Sequence, residues 1–385
     1  MMKNRLLNTE IQDYMNANLN TDLHSLLLKK SPFEGVSMAE IVQQIKGKKV
    51  AQKKFKFLLK DGIIFPPHLN LEQASSESTA EFKAQNLTGK SFVDLTSGFG
   101  IDAYFLSENF EEITLVERNK DLLEIVKHNW NNLGREANFI NTELEDFLAR
   151  NTKKYDLVYL DPARRGSDDR KKFLLEDLSP NIIDIQDQLH ALGNKVIIKL
   201  SPLIDISYLL QVVKNVAEVQ IIAVRNEVKE LLVIIYPDAN IAETKISCFN
   251  LESEDLDFSF VSGDEKHVDV KYISPKKYLY LPNSAVLKSG AFNLVAERFQ
   301  LSKLHPNTHF YTSEQLIAEF PGRILEVEPI QASQIVKGEK FNIISKNYPL
   351  TPDQIKKKYK IRDGGNAYLI FTQSADGKKI ILKST

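Results

Sequence analysis

Val93-Asp94-Leu95-Thr96-Ser97-Gly98-Phe99-Gly100-Ile101-Asp102 decides the fold. An apolar strand runs into a turn with two glycines and then into a helical pattern. Glycines at the carboxyl end of a first strand let the backbone approach a ligand. Ile113–Val116 reads as the next strand and ends at Glu117, 19 residues after Gly98. A carboxylate at that spacing can accept hydrogen bonds from both hydroxyls of a ribose.

Outward from this turn, short β-branched runs alternate with helical stretches. The expected strands are Ser91–Leu95, Glu112–Glu117, Ala137–Asn141, Leu157–Asp161, Lys195–Lys199, Val219–Val224 and Leu231–Tyr236. This rhythm predicts βαβ units and a parallel sheet covered on both faces. Only RNEVKE links the last two strands, too short for a crossover helix, so they are expected to be antiparallel.

Gly98-x-Gly100-x-x-Ala103 also fits a dinucleotide fingerprint, which would put a pyrophosphate on the helix start. Asp94 and Asp102 bracket the turn. A carboxylate there repels a pyrophosphate and suits a sulfonium and an ammonium. The turn therefore favours S-adenosylmethionine over a nicotinamide cofactor.

Two further stretches carry chemistry. After the third strand comes Thr142-Glu143-Leu144-Glu145-Asp146-Phe147, where an acid can reach an adenine amino group and Leu144 or Phe147 its ring. A helix start rich in acids is an equal reading, and Glu143, first after the strand, is the preferred contact. The fourth strand delivers Asp161-Pro162-Ala163-Arg164-Arg165-Gly166. Asp161 can accept a hydrogen bond from an exocyclic amine, and rigid Pro162 exposes further carbonyl acceptors. Methyl transfer needs such positioning more than strong acid–base help. Arg164 and Arg165 suit stacking on a base or clamping a phosphate.

From Val93 to Tyr236 the chain resembles class I S-adenosylmethionine-dependent methyltransferases. From Asp156 onwards it resembles RNA N-methyltransferases of the trimethylguanosine synthase type, including Leu178-Ser179-Pro180 at a helix start. Ala163 and Arg164 stand where that type carries an aromatic. The resemblance implies that Asp161 and Pro162 face the target base. The cofactor-binding set is Asp94, Thr96, Gly98, Gly100, Asp102, Glu117, Arg118, Glu143, Leu144 and Asp161; the catalytic set is Asp161, Pro162 and Arg164.

The whole chain also resembles a bacterial methyltransferase family through LEQASSESTAEFKA (71–84), VRNEVKELLV (224–233), LPNSAVLKSGAF (281–292) and KNYPLTPDQIKKKYKIRDGG (346–365). That likeness implies an α/β fold with a Rossmann-like, seven-stranded methyltransferase sheet. It also implies a helical N-terminal domain (1–85), a methyltransferase domain (86–240), a ferredoxin-like α+β domain (241–324) and a THUMP-like domain (325–385). THUMP-type modules bind tRNA or other structured RNA, so tRNA or rRNA is the implied partner and a guanine or adenine nitrogen the implied acceptor. A protein or small-molecule N-methyltransferase, or an inactive RNA-binding relative, are the alternatives.

Other features bound this reading. Pyrimidine C5 methyltransferases need a cysteine after the fifth strand, where Lys199-Leu200-Ser201-Pro202 stands. The one cysteine, Cys248, lies beyond the sheet and reads as a packed small side chain. Ser75–Lys83 is either a helix cap or a hydroxyl-rich cover for the methionine end of the cofactor. The seven histidines show no HExxH motif, and no metal is expected. No 18-residue apolar run and no signal-peptide core occur, so a soluble cytoplasmic protein without a membrane contact is expected.

The net charge of −1 argues against a uniformly basic nucleic-acid binder. By segment it is +3 over 1–85, −9 over 86–324 and +5 over 325–385. Seven lysines and no acid lie between Lys46 and Lys60. This run reads as a solvated helix face ahead of a phosphate-contacting one. Thr21 is the expected start of one short helix, and Ser37 with Glu40 forms a capping box before another. Thr351-Pro352 opens a late helix, and Gly364-Gly365 reads as a turn.

Overall fold

A computed structural model describes residues 5–164 and 174–384. The chain divides into two compact units, 1–217 with 232–241, and 218–231 with 242–385. The first unit begins with helices α1 (Thr9–Ala17), α2 (Leu23–Leu27), α3 (Met38–Lys54), α4 (His68–Gln73) and α5 (Glu77–Ala84). Then come β1 (Gly89–Asp94), α6 (Ile101–Leu106), β2 (Phe110–Val116), α7 (Lys120–Asn132), β3 (Asn138–Ile140), α8 (Leu144–Arg150) and β4 (Tyr155–Leu160). A two-residue ribbon follows, β5 (Ala163–Arg164) with β6 (Leu178–Ser179), then α9 (Ile182–Leu192), β7 (Gly193–Leu200) and α10 (Ile206–Val212).

β1 pairs in parallel with β2 and β4, β2 with β3, and β4 with β7. A sheet covered on both faces buries consecutive residues, and Phe92, Val93, Leu157, Val158, Tyr159 and Leu160 are all buried. Its carboxyl ends meet where β1 and β4 lie side by side, the place where such sheets take ligands.

The N-terminal helices close their own core of Leu6, Ile11, Met15, Leu26, Ile41 and Ile45. The capping box of Ser37 and Glu40 forms as the sequence predicts. The short helix expected to open at Thr21 is instead capped by Asp22, whose carboxylate accepts from Ser25 N and Oγ, while Thr21 Oγ1 bonds Asn18. The lysine-rich pattern leaves the helix at Lys54, six residues before Lys60. Phe55 turns inward there, buried against Phe99 of the glycine turn with ring centroids 6.1 Å apart. Several lysines are internal ties: Lys48 Nζ donates to Gln12 and Asn16, Lys49 to Thr21 O, and Lys54 to Leu71 O and Glu72 O. Residues 61–65 are stitched to α7 through Asn129, which pairs both ways with the Ile64 main chain, and through Asn132 on Asp61 O.

β8 (Val216–Val224) and β9 (Glu227–Ile235) are joined by Arg225 and Asn226, with φ of 49° and 64°. Two consecutive positive-φ residues make the two-residue hairpin expected between antiparallel strands. In the second unit β10 (Lys245–Leu251) lies parallel to β8, and β11 (Phe258–Val261) lies antiparallel to β10.

Next come β12 (Tyr278–Pro282), α11 (Ser284–Ser289), α12 (Phe292–Arg298), β13 (Ser302–Lys303), β14 (Tyr311–Ser313) and β15 (Gly322–Pro329). The last stretch is β16 (Lys340–Ser345), α13 (Pro352–Tyr359), β17 (Arg362–Gln373) and β18 (Lys379–Ser384). β12 to β18 form one sheet ordered β13-β14-β12-β15-β18-β17-β16. β16, α13 and β17 make a βαβ unit with parallel strands, and α13 carries the capping box of Thr351 with Gln354. Gly364 and Gly365 are not in a turn. They sit inside β17 at φ of 103° and 85°, where the register slips between Phe341 and Asn342. Glycines tolerate the positive φ of such a bulge. Cys248 is buried, and burial pushes its thiol up to about 12, which fits a packing role. Among the described residues no helix is long and apolar enough to cross a membrane, and no cluster of three metal-ligating side chains occurs.

Candidate active site

The ends of β1 and β4 are locked together by main-chain and side-chain bonds. Leu95 N–H donates to Tyr159 O at 2.9 Å, and Asp161 N–H donates to Thr96 Oγ1 at 2.6 Å. Thr96 N–H in turn donates to Asp94 Oδ1 at 2.9 Å. Gly98 and Gly100 adopt φ of 52° and 76°. A Cβ at Gly100 would also sit 2.8 Å from Val126 and 3.2 Å from Trp130, so only glycine fits.

Glu117 reaches back to the glycine turn. Its Oε2 accepts from Gly98 N at 3.0 Å and its Oε1 from Asn119 N at 2.7 Å. A carboxylate has about four acceptor positions, so capacity remains for a diol. Asn141 fixes the Glu117 and Arg118 carbonyls at 2.8 and 2.9 Å. Arg118 and Glu143 are exposed and 3.9 Å apart, while Leu144 is buried.

The three aspartates differ in environment. Asp94 is 1% exposed, and burial raises its carboxyl well above the usual range, with Asp102 and Asp161 adding to the rise. Asp102 is also buried, but Lys83 and Lys199 outweigh that and hold it well below the usual range. Its Oδ1 meets Lys83 Nζ at 2.8 Å. Its Oδ2 accepts from Ser75 Oγ at 2.7 Å, Tyr159 OH at 2.8 Å and Lys199 Nζ at 3.2 Å. Asp102 is thus committed to protein donors. Asp161 keeps 37% of its side chain exposed, and its Oδ2 lies 2.6 Å from Lys199 Nζ. Partial burial raises its carboxyl, and Lys199 opposes the rise.

Pro162 is buried. Ala163 pairs antiparallel with Ser179 and Arg164 with Leu178, so the LSP stretch is bound directly to the Asp-Pro motif. The Arg164 main chain lies in that ribbon; its side chain, Arg165 and Gly166 lie outside the described residues.

Sequence reasoning did not single out Lys83, Tyr159 or Lys199 as partners of this site. Lys83 carried one signal: Thr79, Ala80 and Lys83 share the buried face of α5 at i, i+1, i+4 spacing. Lys199 was visible only as a charged residue ending an otherwise apolar strand. Ser75 serves the Asp102 network, and Ser76 caps α5, which favours the cap reading of that stretch.

Whether the turn fits a nucleoside-bearing cofactor is tested by its own polar atoms. Ser97 Oγ is buried and has no partner among the described residues, an orphan that a bound polar group would satisfy. With Glu117's open acceptor positions and the buried Asp94 carboxylate, the donor set suits a ribose and a cationic tail.

Three family models match the chain: conserved hypothetical protein 95 over 76–175, a ferredoxin-like domain over 278–321, and a THUMP domain-like model over 323–384. The chain is 31% identical to a crystal structure from Porphyromonas gingivalis W83 described as a "putative methyltransferase". The match covers 97% of this chain and 96% of that one, with a TM-score of 0.84. It is 34% identical over 92 residues to an uncharacterised RNA methyltransferase of Mycoplasma mobile. That match takes in 24% of this chain and spans only 25% of the Mycoplasma protein.

Proposed function

The chain belongs to the methyltransferase family of the Porphyromonas gingivalis protein, and we propose that it transfers a methyl group from S-adenosylmethionine to a base nitrogen of structured RNA. The observation that carries this reading is the Asp161-Pro162 pair at the mouth of the glycine-turn crevice, its main chain held by Thr96. Glu117 would take the ribose hydroxyls, Glu143 and Leu144 the adenine, and Asp94 the cationic methionine end. The bound cofactor supplies an electrophilic methyl on a sulfonium.

Asp161 would accept an N–H of the target amine and so aim the nitrogen lone pair at that methyl. The lone pair forms the N–C bond, the C–S bond breaks with its electrons going to sulfur, and the surplus proton leaves the nitrogen for solvent. An exocyclic amine of guanine or adenine offers both the N–H and the lone pair. The basic segments 1–85 and 325–385 and the THUMP-like match favour RNA as the carrier of that amine.

Two measurements test this. Total RNA from a strain lacking the gene, incubated with the protein and tritiated S-adenosylmethionine, should gain label in a single modified nucleoside. Binding of that RNA should weaken steeply with salt, and salt-independent binding would remove the RNA assignment in favour of a protein or small-molecule acceptor.

Cofactor affinity should depend on pH through Asp94. Its raised carboxyl must lose a proton before it can face a cation, so affinity should rise with pH until Asp94 is ionised in the free protein, then level off. Calorimetry in buffers of different ionisation heat should show up to one proton released per cofactor bound. No proton release at any pH would remove Asp94 from the cofactor site.

A further inference from the structure

Lys199 is the penultimate residue of β7 with its side chain 10% exposed, and its Nζ meets Asp161 Oδ2 at 2.6 Å, Ser75 Oγ at 3.1 Å and Asp102 Oδ2 at 3.2 Å. An ammonium has three N–H donors, and acceptors from α6, the α4–α5 loop and the loop after β4 meet it here. That arrangement suits a fixed cation and leaves no role for a neutral amine base.

We propose that Lys199 is a positioning residue that holds Asp161 as an ionised acceptor, aimed into the crevice and anchored through Asp102 to the core. The inference rests on the reading of Asp161 as the group that meets the target amine. A carboxylate only accepts hydrogen bonds, whereas a carboxylic acid also donates one. A protonated Asp161 would present a donor to an amine N–H and lose the aim of the lone pair. Burial pushes Asp161 toward protonation, and the neighbouring Asp102 on α6 adds to the push. The cations that oppose this are Lys199 on β7 and, one step removed, Lys83 on α5, which sits on Asp102. Tyr159 on β4 donates to Asp102 and is spent there. Of the two lysines, Lys199 is the one in contact with Asp161.

The same contact fixes direction as well as charge. Asp161 N–H is tied to Thr96 and its Oδ2 to Lys199, so main chain and one carboxylate oxygen are both held. Among the described residues, Oδ1 is then the oxygen left for a substrate N–H.

The test reads Asp161 directly, so it does not depend on a known acceptor. Full-length protein labelled with ¹³Cγ-aspartate is titrated by NMR, and Asp161→Asn identifies the resonance. Lys199→Met should raise the Asp161 midpoint by about one pH unit or more, and Lys199→Arg should return it toward the wild-type value. In methyl transfer to RNA from the gene-deletion strain, the acid limb of kcat/KM should move up by the same amount in Lys199→Met. KM for S-adenosylmethionine should change little. A folded Lys199→Met protein with an unmoved Asp161 midpoint overturns the proposal. Should neither Lys199→Met nor Lys199→Gln fold, the lysine belongs to the fold and the proposal is equally overturned. If the midpoint moves but wild-type protein labels no RNA, the RNA reading fails while the Lys199–Asp161 coupling stands.

Discussion

Asp161→Ala should lower methyl transfer by at least about 100-fold while changing cofactor affinity by no more than about threefold. The main chain at this position does not depend on the carboxylate. Its N–H donates to Thr96 Oγ1, and Pro162 and the β5–β6 ribbon hold the residues that follow. Lys199 keeps Asp102 and Ser75 as partners when Asp161 is truncated. The loss should therefore fall on the aim of the acceptor nitrogen and not on the cofactor bed of Glu117 and the glycine turn. Single-turnover transfer with tritiated cofactor gives the first quantity and calorimetry the second. A loss of cofactor affinity as large as the loss of transfer would place Asp161 in the cofactor bed instead.

Lys83→Met should destabilise the first unit by about 3–5 kcal/mol. The side chain of Lys83 is fully buried, and its Nζ meets Asp102 Oδ1 at 2.8 Å and Ser75 Oγ at 2.8 Å. Methionine matches the length but supplies no charge. Removing one partner of a buried ion pair leaves the other uncompensated, which costs more than the pair itself contributes. Lys199 remains on Asp102, so the cost should lie at the lower end of that range. Urea unfolding read by the fluorescence of Trp130, the single tryptophan, reports on the unit concerned because Trp130 is buried in α7. A change below about 1 kcal/mol would show that Asp102 does not need the N-terminal lysine. The expected result would make 1–85 part of the methyltransferase core, since α5 carries Lys83 in a segment that composition alone marks as a basic RNA-facing end.

Much of the sheet was legible in advance. Each of the seven expected strands has a counterpart, with ends shifted by at most four residues, because a strand buried on both faces writes itself as an unbroken apolar run. The hairpin between β8 and β9 followed from a linker too short for a helix. The capping box at Ser37 and the helix start at Thr351-Pro352 were legible because capping is a local bond between residues close in sequence. Gly364-Gly365 was misread because a glycine pair serves a turn or a bulge equally well, and only a neighbouring strand decides which. The end of α3 was misread for the same reason: Phe55 leaves the helix to meet Phe99, 44 residues away.

The site divides along the same line. Asp94, the glycines, Glu117 and Asp161-Pro162 could be picked out because each follows a strand at a fixed spacing, and the parallel sheet places all strand ends on one edge. The network of Ser75, Lys83, Asp102, Tyr159 and Lys199 could not. Its members come from four elements and the loop before α5, and no local pattern separates a lysine bound for a buried carboxylate from one bound for solvent. What the sequence determined by itself was the sheet and the acceptors along its edge, since both arise from short-range periodicity. Only the tertiary structure decided which of those acceptors are free to meet a ligand. Asp102 is consumed by two lysines, a serine and a tyrosine, and Asp161 is held by one lysine with an oxygen to spare among the described residues. The physical reason is that a buried charge must find its counter-charge wherever the chain brings one, at any distance along the sequence.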